Sequence, residues 1–212
     1  QPAQALSLFD RALALDSTRA NANYYAGRCL DTLGRKNEAL MAYNKARDYD
    51  MLRFRMSSDF NNVLRRMDDG KLIAFVDIER KFKANSPDSL ICNTLILEHL
   101  HPNARGYFLI AKEYTGMMRE RKLIVKADNE WKLLDALDDE RLWDERPLTE
   151  LDERCAQRRT ELLKAGWPFR SESVTVPDVN LKDTVGVIAE QLVRGFITWE
   201  QAHVTAAEHY TR

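Results

Sequence analysis

Residues 5–12, Ala-Leu-Ser-Leu-Phe-Asp-Arg-Ala, return at 39–46 as Ala-Leu-Met-Ala-Tyr-Asn-Lys-Ala. Ala5, Phe9 and Ala12 reappear as Ala39, Tyr43 and Ala46, a shift of 34 residues each time. Between the copies, Ala26, Gly27, Leu30 and Gly34 supply small and apolar positions. A period of this length with small and large packing positions describes helix pairs stacked side by side. The small residues let antiparallel helices approach, and Phe9 or Tyr43 fills the gap between them. The spacing predicts helices over 3–15, 19–33 and 37–49, so residues 1–50 hold one and a half repeats. Such units bury their open faces on neighbours, and an array this short must dock on a following domain or continue upstream.

Outward from the repeat, Ser57 or Ser58 starts a helix predicted over 58–68, with Phe60, Val63 and Leu64 inward and Arg65 and Arg66 outward. Asp68-Asp69-Gly70 breaks it. The run from Leu72 to Ile78 is short and almost wholly apolar, the pattern of a buried parallel strand. Asp77 stands near its C-terminal end, where α/β sheets commonly place ligand groups, and is also placed to cap the next helix.

The stretch Ile96-Leu97-Glu98-His99-Leu100-His101-Pro102-Asn103 concentrates a carboxylate, two imidazoles and an amide in eight residues. Glu98 and His101 stand three apart, so in a tight loop the carboxylate reaches the His101 ring. That contact fixes a tautomer and leaves the other ring nitrogen as a general base. The same pair could instead serve as a loop-to-helix cap. Pro102 suits the first turn of a helix, which continues through Ala104, Phe108, Ala111 and Tyr114.

The 34-residue pattern resembles the tetratricopeptide (TPR) repeat, departing from it at Asn23, where a bulky aromatic is usual. Residues 97–107, LEHLHPNARGY, resemble the last conserved block of the SGNH (GDSL-type) hydrolases, in which an Asp-x-x-His pair precedes Pro-Asn and a helix. Residues 52–66, LRFRMSSDFNNVLRR, with 73–82, IAFVDIERKF, and 85–90, NSPDSL, extend the likeness to a bacterial subgroup of that family with inserted TPR repeats. The resemblance implies a serine esterase or acyl hydrolase acting on an ester substrate, with His101 as base and Glu98, in place of the usual Asp, as orienting acid. His99 matches no catalytic position. Asn103 and Asp77 are the candidate binding residues of this region.

The family's Gly-Asp-Ser nucleophile turn and its Gly and Asn oxyanion donors match no segment here. Ser7 falls mid-helix, and Ser57, Ser58 and Ser86 fall at helix starts or in polar loops. The resemblance therefore implies the C-terminal part of an enzyme whose nucleophile lies upstream, supplying base and acid but inactive alone. The alternative is an interaction scaffold whose TPR helices hold a protein or peptide partner and whose hydrolase part is degenerate.

Further along, Trp131, Leu134 and Leu137 suggest a helix, and Thr149–Lys164 forms another on Leu151, Cys155 and Leu162, ended by Gly166. Trp167-Pro168-Phe169 reads as an aromatic clamp and residues 171–179 as extended chain. Leu181–Arg194 is an amphipathic helix stopped by Gly195. Thr198-Trp199-Glu200-Gln201 is a capping-box start, after which His203, Ala206, Ala207 and Tyr210 match the first helix of another TPR. On this reading His203 and His209 are structural or exposed.

The expected fold class is α+β, predominantly helical, with TPR hairpins packed on a partial SGNH-like α/β unit. Its segments are 1–50 (repeats), 51–120 (α/β part), 121–195 (helical extension) and 196–212 (first helix of a further repeat). A net charge of −1, from 32 basic and 33 acidic residues, gives no field that would draw nucleic acid. No apolar run is long enough to span a membrane. Three widely spaced cysteines argue against a disulfide framework or metal knuckle, and His99 and His101, two apart in a loop, do not converge on one ion. No cofactor is expected. The cellular address stays open, the cell envelope or periplasm following if a signal or anchor precedes residue 1.

Overall fold

The computed structural model describes residues 1–123, 131 and 138–211. It divides into two units, Gln1–Ala127 and Asp128–Arg212. The described residues are predominantly helical, with no strand ladder and a single antiparallel bridge between Ile96 and Pro102.

The first unit opens with α1 (Pro2–Leu15), α2 (Ala20–Thr32) and α3 (Lys36–Asp48), within two residues of the spans set by the periodicity. Leu6, Ala26, Leu30, Ala39 and Ala42 are buried together, with Phe9, Leu13, Cys29 and Tyr43 packed against them. The close approach shows at Gly27, where a Cβ would lie 2.8 Å from the Tyr43 ring. Asn23, the position at which the sequence departs from the TPR pattern, is buried, and its amide donates to the carbonyls of Ser17 and Arg19. It ties down the turn between α1 and α2, and the two bonds satisfy an amide that burial would otherwise leave costly.

Helix α4 (Ser58–Met67) follows, and its orientation differs from expectation. Phe60, Val63 and Leu64 face solvent, and no residue of α4 is buried. Its polar side is the one engaged. The Glu79 carboxylate takes the Arg47 guanidinium at 3.0 Å, the Lys83 ammonium at 2.8 Å, Arg65 at 3.3 Å and the Asn61 amide at 2.9 Å. One acidic group thereby holds α3, α4 and α5 (Ile78–Ala84) together. A partly shielded charge with several donors outcompeted the apolar stripe for the inner face.

The apolar run after α4 opens on a bend, carries no regular secondary structure up to α5, and leaves Leu72 93% exposed. Its backbone donors are spent locally. The Asp69 carboxylate accepts from the N–H groups of Lys71, Leu72 and Ile73, and that of Asp68 accepts from Gly70 and Phe75. A strand needs a neighbour to complete its hydrogen bonds, and none lies among the described residues. Asp77 then caps α5 through the Arg80 N–H, at 3.0 Å. A short 3₁₀ turn (Pro87–Ser89) and a loop lead to α6 (Ala104–Glu120), which is bound to α5 by Lys81 and Glu113 at 2.8 Å.

The second unit contains α7 (Asp139–Asp144), α8 (Glu150–Lys164), α9 (Thr184–Val193) and α10 (Trp199–Tyr210). Leu151, Cys155, Val185, Ile188, Ala189, Ala202 and Ala206 form its core. Both α8 and α10 begin with capping boxes, Thr149 with Asp152 and Thr198 with Gln201. Helix α10 thus closes the same core as α8 and α9. Arg158 is 4% exposed and locked between the carboxylates of Glu190 and Glu161 and the Pro177 carbonyl. Trp167, expected to clamp, is 69% exposed and buries little. The helix expected through Trp131, Leu134 and Leu137 lies, Trp131 aside, outside the described residues.

Candidate functional site

The loop between Cys92 and α6 is shaped by its own backbone. The N–H groups of Leu95 and Ile96 donate to the Cys92 carbonyl, Leu97 N–H donates to the His101 carbonyl at 2.8 Å, and Asn103 N–H donates to that of Leu95 at 2.9 Å. Leu95 is buried beneath the loop. Helix α6 presses on it at Gly106, where an added Cβ would overlap the Leu95 carbonyl oxygen and lie 2.8 Å from Pro102 Cβ.

Within this frame the Glu98 side chain is 3% exposed and turned inward. Its Oε2 accepts from the backbone N–H of His99 at 2.5 Å and of Leu100 at 2.9 Å. Its Oε1 accepts from the backbone N–H of His101 at 2.9 Å and is in short hydrogen-bond contact with the His101 ring at Nδ1. Burial alone would raise the Glu98 pKa, but these donors, the His101 N–H foremost, outweigh it and bring it down to about 2. The carboxylate is therefore ionised across the physiological range.

An ionised acceptor at Nδ1 places the ring proton there and the lone pair on Nε2. The His101 side chain is 61% exposed, so that lone pair faces solvent. The arrangement can accept a proton at Nε2 while Glu98 compensates the imidazolium formed. Among the described residues no hydroxyl or thiol is hydrogen-bonded to the His101 ring. His99 lies on the other side of the carboxylate, with Nδ1 2.5 Å from Oε2 and its ring edge-on to Phe54 at 4.9 Å.

Of the four residues singled out in the sequence, only Glu98 and His101 are brought into contact. Asn103 is the N-cap of α6, its oxygen accepting from Gly106 N–H and its amide donating to the Asn93 carbonyl, each at 3.0 Å. Pro102 consequently precedes the helix instead of opening it. Asp77 is taken up by the α5 cap and by Arg65, whose Nε lies 2.8 Å away, and that guanidinium pulls the Asp77 pKa below its ordinary value. Sequence reasoning missed the second imidazole contact of Glu98 and the packing role of Gly106. A glycine three residues past a helix-capping asparagine was the available sign.

His203 sits on α10 with Nδ1 3.0 Å from the Trp199 carbonyl oxygen and its ring 3.9 Å from that of Trp199, a local structural role. Among the described residues no group of three or more His, Cys, Asp or Glu side chains is placed to hold a metal ion, and no helix is long and apolar enough to cross a membrane. Compared with protein-family models, curated proteins and solved structures, the chain matches none of them.

Proposed function

We propose that this chain is the C-terminal portion of a TPR-containing SGNH-type serine esterase or acyl hydrolase, contributing His101 as general base and Glu98 as its orienting acid. The observation that carries this reading is the buried Glu98 carboxylate bonded to His101 Nδ1 while the rest of that ring stands in solvent. An ionised acceptor fixed at Nδ1 with the far side of the ring accessible is the arrangement that a general base requires.

In the intact enzyme a serine supplied from outside this chain attacks the ester carbonyl as His101 Nε2 takes its proton. The imidazolium, balanced by Glu98, returns the proton to the departing alcohol. Water then repeats the sequence on the acyl-enzyme. The solvent-facing apolar side of α4 (Phe60, Val63, Leu64, Met67) and the unpaired Leu72 and Ile73 fit the same reading. They are the surfaces against which the remainder of an α/β layer, bearing the nucleophile, would pack.

Fluorophosphonate labelling of the native protein beside the 212-residue chain tests this. The expected result is label on a serine outside these residues in the native protein and none on the chain. His101→Ala in the native protein is expected to lower ester turnover about a thousandfold or more. Unlabelled native protein, or unchanged turnover, rejects the assignment.

A further inference from the structure

Glu98 is followed at once by one histidine and, two residues beyond that, by another, so one carboxylate in a tight loop can meet two imidazoles. Both reach it, on opposite oxygens. His101 meets Oε1 through Nδ1, and His99 meets Oε2 through Nδ1 at 2.5 Å. The two rings stand in different surroundings. The His101 side chain is 61% exposed, whereas that of His99 is 26% exposed and both its ring nitrogens are closed to solvent. A ring covered in this way cannot pass a proton to a substrate, but it can hold the carboxylate.

Glu98 is ionised, so its oxygens offer lone pairs alone. A bare ring nitrogen 2.5 Å from one of them would set lone pair against lone pair, and the contact is favourable only with the hydrogen on His99 Nδ1. The carboxylate then lies between two ring N–H groups, one on each side. Its backbone donors, the N–H groups of His99, Leu100 and His101, all belong to the loop and move with it. The His99 ring is held from outside the loop, edge-on to Phe54 at 4.9 Å, and Phe54 lies in the connection between α3 and α4. It thus ties the direction of the carboxylate to a second segment of the chain.

We infer that His99 is a positioning residue of this site, holding the Glu98 carboxylate by Oε2 so that Oε1 stays on Nδ1 of His101. The consequence falls on His101. With Oε1 in place, its hydrogen stays on Nδ1 and its lone pair on the exposed Nε2. Without that hold the carboxylate answers to its own loop alone, and motions of the loop lengthen its contact with Nδ1. The proposal rests on the esterase reading where it concerns turnover; the effect on the His101 tautomer belongs to the loop and holds without that reading.

Two variants separate this role from packing. His99→Phe keeps a ring against Phe54 and removes the nitrogen, whereas His99→Asn loses the ring and keeps an amide donor close to the place of Nδ1. The His101 ring nitrogens are read in long-range proton–nitrogen correlation spectra of the 212-residue chain at about pH 8, above the ordinary imidazole range. Their shifts are expected to move from the Nδ1–H pattern toward a mixture of tautomers in His99→Phe and to return in His99→Asn. In the native protein, kcat for ester hydrolysis should fall about tenfold in His99→Phe at unchanged KM and recover to within about threefold of wild type in His99→Asn. Wild-type His101 shifts in His99→Phe, or equal losses in the two variants, would show a packing role and overturn the proposal. A native protein that hydrolyses no ester rejects the esterase reading, and the spectra of the chain then decide the role of His99 by themselves.

Discussion

Gly106, in the first turn of α6, packs on Leu95 so closely that any side chain there would collide with the Leu95 carbonyl oxygen. That carbonyl accepts the Asn103 N–H and closes the loop that carries Glu98 and His101. The helix therefore sets the loop through a backbone contact that only glycine permits.

Gly106→Ala should accordingly disturb the site from a position that touches neither imidazole. The obstacle is a main-chain oxygen, which cannot rotate away as a side chain could. An overpacking cost of about 1–3 kcal/mol is expected, read as a lower midpoint in urea. The His101 ring resonances should shift in the same variant. A variant with wild-type stability and an unchanged His101 spectrum would show that the loop and helix adapt freely.

Glu98 makes acid stability informative. Its folded-state pKa of about 2 lies below the ordinary value of 4.5, so the unfolded chain binds more protons as pH falls. The stabilisation is complete above pH 4.5 and is lost as pH drops toward 2. For a side chain this buried the difference corresponds to about 3 kcal/mol. Urea midpoints measured across that window should fall for the wild type and fall less for Glu98→Gln. Parallel curves would mean that Glu98 contributes nothing through its charge.

Arg158 should be the most sensitive charged position of the second unit. It is enclosed by Glu190 at 2.5 Å, Glu161 at 3.1 Å and the Pro177 carbonyl at 3.0 Å. Arg158→Ala leaves the Glu190 carboxylate, among the described residues, with Arg194 alone as ion-pair partner, and loss of its charge-assisted hydrogen bonds to Arg158 costs about 1.5–3 kcal/mol. Removing Glu190 as well should recover part of that loss. A thermal denaturation cycle over the two single variants and the double variant measures it; additive effects would show the pair to be uncoupled.

The residues that proved legible in the sequence are those whose partners lie within one or two turns. The period linking Phe9 to Tyr43 placed three helices, because small and large side chains at fixed spacing pack only one way along a helix pair. Thr198 with Gln201 declared a helix start, and Glu98 with His101 declared a contact, since three residues is one turn of loop or helix. Asp77 was ambiguous for the same local reason: a carboxylate after an apolar run suits a strand end and a helix cap equally.

What failed depended on distant groups. The apolar stripe of α4 announced an inner face, but Glu79, fourteen residues beyond Arg65, draws the polar side inward instead. The run from Leu72 to Ile78 has strand composition, yet strand formation belongs to a pair, and Asp68 and Asp69 claim the backbone donors first. Periodicity, caps and the Glu98–His101 adjacency are properties of neighbouring residues and were therefore determined by the sequence alone. Which face of α4 is open, why Gly106 is glycine, and that Phe54 packs on the His99 ring were decided only by tertiary structure, because each depends on bringing together groups that the chain order keeps apart.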